Sequence, residues 1–456
     1  MLLDPTAVHV IGRLTEIPPR GRRFPGIDES THESLLPSTR SNMNARLTAL
    51  LRLASFGLAT AITSVVGLVA ASVFVATSGA YEWGVLAAIQ SAAGLFGVLV
   101  AFGWGTTGAA EIASMPAQAR PQQYADSFVS RVYLIALAFP AMVAVMGLIN
   151  PSHLALVVIG AFAFLAPNLG ASWYFVGEAR PLRLLAFEVL PQTVGIVGSI
   201  VVVLITGDLV AAIAAQLICN TVGPLISLMV IRRTATGPLR MNWSIPAAFG
   251  RLKMQRHAVT TAATSALYVS APMLILNVVA PAALAPYAMG DRLFRVALTV
   301  FGPVLQFVQG WIPESGPQNV DHRIRQTLRL TPIAGFVGAS AIASLGPWAV
   351  GVISQGNIAF GLDYSVPFAL VFLVVSTTQV IGLACLVQLG RSAALALSTV
   401  LGAAIGVPTL LAGTLLFGAH GLVWALLVSE CVVLIYQLVA VISELKRRRQ
   451  LQATTR

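Results

Sequence analysis

Few charged side chains interrupt the apolar runs of this chain, and the densest group is Gly290-Asp291-Arg292-Leu293-Phe294-Arg295. Asp291 and Arg295 stand four residues apart, so on a helix they share a face and can pair. Arg292 lies one position off that pair and could remain free. A free guanidinium in an apolar setting suits phosphate, because its planar fork of donors matches phosphate oxygens two at a time. The functional reading is a cationic site for a phosphate-bearing ligand, formed by Arg292 and Arg295 with Asp291 beside them. The plain alternative is a structural ion pair and an arginine whose head reaches toward lipid headgroups.

Two carboxyls fall inside apolar runs: Glu188, and Glu430 within Leu427-Val428-Ser429-Glu430-Cys431. An ionisable group in a membrane span is costly and usually faces a bundle interior or an aqueous cavity. Each could exchange a proton as a coupling group, or stay a neutral acid hydrogen-bonded between helices. A compact charged turn holds Glu178, Arg180 and Arg183. It is a candidate gate, and equally a contact for lipid headgroups.

No Gly-x-x-x-x-Gly-Lys-[Ser/Thr] phosphate loop and no His-Glu-x-x-His spacing occurs. The three cysteines, Cys219, Cys385 and Cys431, each sit in an apolar run without metal or disulfide spacing. The sequence therefore implies no cofactor, no metal and no catalytic centre, and the chain is read as not an enzyme.

The elements that must position these groups follow from composition. Of 456 residues, 57% are hydrophobic and 10% charged, with mean hydropathy +0.82. Soluble proteins carry roughly 25% charged residues. Many runs reach the roughly 17–25 residues that cross a bilayer as a helix, and they lack the alternation of a barrel strand. The fold class expected is an all-α polytopic membrane protein with about 12 transmembrane helices in two six-helix lobes. The spans fall near 55–76, 83–104, 129–148, 153–174, 184–205 and 209–230, then 259–279, 285–308, 332–353, 366–387, 392–416 and 421–442.

Charge placement orients the bundle. The alternate connections near Gly79, Asn150, Asp208, Pro281, Gln355 and Phe417 contain no Lys or Arg. Of the 28 basic residues, all but Arg292 and Arg295 lie in the tails, the other connections or the adjoining helix ends. The positive-inside effect then places both termini in the cytoplasm. The net charge of +11 is thus met by anionic lipids, with no nucleic acid implied.

The division expected is a disordered cytoplasmic tail over 1–45, a first six-helix lobe over 46–231, a central basic cytoplasmic loop over 232–258, a second six-helix lobe over 259–442 and a basic cytoplasmic tail over 443–456. Met43 is an alternative start. The halves repeat in layout at an offset close to 200 residues, a plan common among secondary transporters. Pro140, Pro191, Pro224, Pro272, Pro303 and Pro408 lie within spans, where they free carbonyls and bend helices.

Two stretches carry a resemblance. Ala171-Ser172-Trp173-Tyr174-Phe175-Val176-Gly177-Glu178 resembles an aromatic-Gly ending of span four, and Tyr287-Ala288-Met289-Gly290-Asp291-Arg292-Leu293-Phe294-Arg295 the start of span eight. With the 6+6 plan, residues 50–445 resemble the multidrug/oligosaccharidyl-lipid/polysaccharide transporter superfamily, nearest to the bacterial polysaccharide biosynthesis flippases. That resemblance implies movement of a polyprenyl-diphosphate-linked glycan across the bacterial inner membrane, for cell-surface polysaccharide. Arg292 and Arg295 would then meet the diphosphate. It implies as partners anionic lipids and a polysaccharide polymerase or glycosyltransferases. One departure stands out: spans one and two have no internal Lys or Arg, only Arg46 and Arg52 before the edge. An ion-coupled multidrug or cation antiporter would instead use Glu188 or Glu430, and a membrane scaffold for polysaccharide assembly would need none of these groups.

Overall fold

The computed structural model describes residues 63–454 apart from 236, 238, 315 and 317. The expected tail over 1–45, the start at Met43, and Arg46 and Arg52 lie outside the described residues. In hydrocarbon a backbone must satisfy its own polar groups, and the helix does so within one segment. The apolar runs accordingly form helices.

In order these are α1 (Thr63–Ser78), α2 (Ala80–Ala101), α3 (Trp104–Ser114), α4 (Arg120–Ile149), α5 (Leu154–Leu165), α6 (Ser172–Gly177) and α7 (Pro181–Leu184). Then come α8 (Leu190–Thr206), α9 (Leu209–Thr234), α10 (Ile245–Val279), α11 (Leu284–Glu314), α12 (Val320–Ile353), α13 (Leu362–Val380) and α14 (Ser392–Thr454).

Ten segments among the described residues are long and apolar enough to cross a membrane. The last of them, within α14, is two arms joined at Gly418, whose φ of 63° and ψ of −146° are not helical. With the arms taken separately and the shorter α1 included, the segments match the twelve expected. The arms touch closely: a methyl on Gly413 would stand 2.6 Å from the Gly421 carbonyl oxygen.

Two spans depart from regular helix. Leu185–Val189 and Ile381–Leu386 are π-helical turns, each continuous with its neighbours. Span four is broken between α5 and α6, with a 3₁₀ turn at Ala166–Leu169 and Gly170 extended at ψ 176°. Pro167 and Gly170 are the residues that allow the break.

Side chains from both sequence halves build one apolar core, with Ala92, Met142 and Val157 from the first and Leu276, Met289 and Phe368 from the second. Two further cores each draw mainly on one half, around Trp104, Tyr124 and Phe175, and around Phe372, Cys385 and Val441. Contacts between halves run through α2 against α10 and α11, and through α3 and α4 against α10. Gly84 lets α2 approach α11, since a methyl there would meet Leu284 Cβ at 2.9 Å and the Ala285 nitrogen at 3.1 Å. Asn220, expected to bond between helices, donates its amide to the Ala163 carbonyl at 2.8 Å.

Candidate functional site

Helix α11 brings its polar residues onto one stripe. Arg295 Nε donates to Asp291 Oδ2 at 2.7 Å, the pairing expected from the four-residue spacing. Arg292 is half-buried and makes no hydrogen bond among the described residues. Its guanidinium lies against α1, where a methyl on Gly67 would stand 2.6 Å from Arg292 Nη2.

These side chains line a cavity of about 410 Å³ whose walls come from both sequence halves: Ser64 of α1, Trp83 and Gln90 of α2, Ser270 of α10, and Arg292 and Arg295 of α11. Asp291 also lines it. The volume lies within the ~300–1,000 Å³ of small-molecule sites. The arrangement can take an anion: one guanidinium with no acceptor among the described residues, and a second already held by a carboxylate.

The two carboxyls within spans, Glu188 and Glu430, are elsewhere, and neither lines this cavity. Glu188 is 1% exposed. Its Oε1 accepts from the Ala171 backbone N–H at 2.6 Å and from the Ser227 hydroxyl at 2.6 Å, while Oε2 has no partner among the described residues. Glu430 faces α10, where Tyr268 donates its hydroxyl to Glu430 Oε1 at 2.8 Å and lies 2.9 Å from Ser429 Oγ.

The candidate gate turn holds together locally. Arg180 and Arg183 approach Glu178 Oε2 at 3.7 and 3.8 Å. The links that join the halves at the basic end are different ones. Gln255 Nε2 donates to Glu111 Oε1 at 2.7 Å, and Glu111 is held in place from its own half by Thr107 Oγ1 at 2.8 Å and Gln123 Nε2 at 3.1 Å. Arg251 pairs with Asp126 at 2.8 Å. Tyr133 donates to the Trp243 carbonyl at 2.6 Å. Part of the stretch expected as the central loop is therefore the start of α10, laid against α3 and α4.

One charged residue departs from the edge position expected of it. Arg131 lies within α4 and is 1% exposed. Its Nη1 donates to the carbonyls of Asn168 and Gly170, each at 2.8 Å, and its Nη2 to Ser127 Oγ at 3.1 Å. The rings of Tyr124 and Trp173 flank it at 5.6 and 5.7 Å. A second cavity of about 320 Å³ opens beside it, bounded by Asn168, Ser172 and Trp173. The signals in the sequence were Pro167-Asn168-Leu169-Gly170, a helix-breaking run inside span four, and Ser127 one turn before Arg131.

With this geometry in hand, the fold can be placed among known ones. No protein-family model and no curated protein matches the sequence. Solved structures do match. The lipid II flippase MurJ in an inward closed conformation aligns with TM-score 0.63 and 12% identity, over 86% of this chain and 88% of that one. An inward-facing multidrug resistance MATE family transporter of the MOP superfamily gives 0.56 and 14%, over 86% and 96%. The eukaryotic MATE transporter AtDTX14 gives 0.53 and 13%, over 89% and 99%. At these identities the likeness is one of fold. The chain is an all-α, multi-pass membrane protein by the length and apolar character of its helices. Its fold is similar to those of MurJ and of the MATE transporters.

Proposed function

We propose that the chain is a flippase that translocates a polyprenyl-diphosphate-linked oligosaccharide for cell-surface polysaccharide. The single observation that carries this reading is Arg292, a guanidinium with no acceptor among the described residues, in a cavity walled by both sequence halves. A diphosphate supplies the paired anionic oxygens that such a fork binds. The structural neighbour MurJ is itself described as a lipid II flippase. The cavity of about 410 Å³ takes a diphosphate and an adjoining sugar, so a longer glycan requires the halves to part. Two six-helix lobes rocking about the cavity would do this by alternating access.

In this reading both termini face the cytoplasm, the membrane is the bacterial inner membrane, and the basic tail contacts anionic lipids. A polysaccharide polymerase or glycosyltransferases act next to it.

The deciding experiment is to delete the gene and locate the polyprenyl-diphosphate oligosaccharide. Accumulation in the cytoplasmic leaflet with loss of a surface polymer supports the reading. An unchanged lipid pool with intact surface glycans refutes it.

A second reading, an ion-coupled multidrug or cation antiporter, is favoured by one observation. Glu430 is held by Tyr268 at 2.8 Å across the junction of α10 and α14, where a protonation change would alter helix packing. Proton-driven efflux of small cations is its test.

A further inference from the structure

A groove of about 410 Å³ runs between α11 and α12, and every residue lining it is apolar or glycine. Val296, Val300 and Val304 form one wall, Ala341, Leu345 and Ala349 the other. Phe372 of α13 also lines it. Val300 and Leu345 are 74% and 57% exposed, so the groove is open along its length. Small residues normally let membrane helices close on one another. Here a gap remains despite Ala341 and Ala349. Toward the basic end the two helices are tied, because Arg323 lies over the Trp311 ring at 4.5 Å and donates to the Trp311 carbonyl.

The groove adjoins the charged cavity. Val296 lines both. Helix α11 thus presents two adjoining stripes: Asp291, Arg292, Arg295 and Thr299 to the cavity, and Leu293, Ala297, Val300, Phe301 and Val304 to the groove, with Val296 on both. The lining residues run from 293 to 304 on one helix and from 338 to 349 on the other. At 1.5 Å per residue each wall is about 16 Å long, roughly half of a ~30 Å hydrocarbon layer.

We propose that this groove holds the isoprenoid chain of a polyprenyl diphosphate whose head sits at Arg292. The inference rests on the functional reading above and adds a second subsite to it. The head position selects the occupant. Arg292 stands eight residues into α11, about 12 Å from its start, so the head lies within the span and not at its end. A diacyl lipid would have to bring two chains past Val296, whereas a polyprenyl diphosphate brings one.

The test uses the full-length protein in detergent with a polyprenyl diphosphate carrying a photoreactive group on its chain, and maps the labelled peptides. Labelling is expected within 296–304 and 338–349. Ala341→Trp, which fills the groove, should lower it at least tenfold. Val300→Trp does the same from the opposite helix, and an unchanged melting temperature in either variant shows that the fold persists. Unlabelled geranylgeranyl diphosphate should compete, and phosphatidylglycerol at the same concentration should not. Labelling spread evenly over lipid-facing helices, or equal competition by phosphatidylglycerol, overturns the proposal. The two readings fail separately. Groove labelling with an unchanged lipid pool in the deletion strain removes translocation and leaves the chain site. Cytoplasmic-leaflet accumulation without groove labelling removes the chain site alone.

Discussion

Arg131 and Glu188 hold opposite poles of one peptide group. Arg131 donates to the Gly170 carbonyl at 2.8 Å, and Glu188 accepts from the Ala171 N–H at 2.6 Å. The two side chains come from α4 and from the π-helical turn of span five, and they meet at the break in span four. A buried acceptor left without its donor costs about 1–3 kcal/mol, and Arg131 serves two of them, the Asn168 and Gly170 carbonyls. Arg131→Met is therefore expected to destabilise the protein by roughly that amount for each. Arg131→Met with Glu188→Gln should cost clearly less than the sum of the single changes. Thermal melting of the four proteins in detergent checks this, and strict additivity would show that the residues do not act through the shared peptide.

Arg292 and Arg295 should respond differently to replacement. Arg292 has no hydrogen bond among the described residues, so Arg292→Ala removes a ligand contact and little else. Arg295→Ala also leaves Asp291 unpaired inside the cavity. Transport is expected to be lost in both, with membrane insertion retained, and the double variant Asp291→Asn with Arg295→Ala should insert at least as well as Arg295→Ala. Arg292→Lys should restore little, because an ammonium lacks the planar fork. Normal transport with Arg292→Ala would remove the assigned site.

At the basic end, Glu111–Gln255 and Asp126–Arg251 tie α3 and α4 to α10. Glu111→Gln with Asp126→Asn is expected to favour opening there. The measurement is the rate at which a water-soluble thiol reagent labels a cysteine placed at Ser91, which lines the cavity. A several-fold faster rate from the basic side is expected, and an unchanged rate would mean that these links are not the closure.

The opposite end relies on Gly84. A methyl group there meets the α11 backbone at 3.1 Å, and overpacking of this kind costs about 1–3 kcal/mol. Gly84→Ala should shift the population away from the closed arrangement by about five- to a hundredfold. Accessibility of Ser91→Cys from the Lys- and Arg-free side reads this directly. An unchanged rate would show that α2 and α11 part without strain.

Tyr268 and Glu430 separate the two functional readings. In an ion-coupled antiporter, Glu430→Gln abolishes proton-driven efflux, and Tyr268→Phe weakens it. In the flippase reading neither change abolishes delivery of glycan to the outer leaflet. The two variants assayed for both outputs decide between them.

The spans were legible because hydrocarbon leaves an apolar run little choice but to become a helix. The Asp291–Arg295 pair was legible because it is local, four residues apart on one helix. Gln255 and Glu111 were not, since 144 residues separate them and nothing in either segment names the other. Arg131 was hidden for a different reason. Its partners are mostly backbone carbonyls freed by a break, and a carbonyl has no letter in a sequence. Gly418 was legible only as a turn; the close approach of Gly413 to Gly421 needed coordinates.

Helix α10 runs 35 residues without interruption from Ile245 to Val279, about 52 Å at 1.5 Å per residue. Pro272 within it can donate no backbone hydrogen bond. The carbonyl it leaves unclaimed is that of Tyr268, four residues earlier, the residue that also holds Glu430. The helix is thus a lever with its fulcrum beside that pair. Its long arm ends on Arg251 and Gln255, so a small tilt at Tyr268 becomes a larger sweep at the basic end.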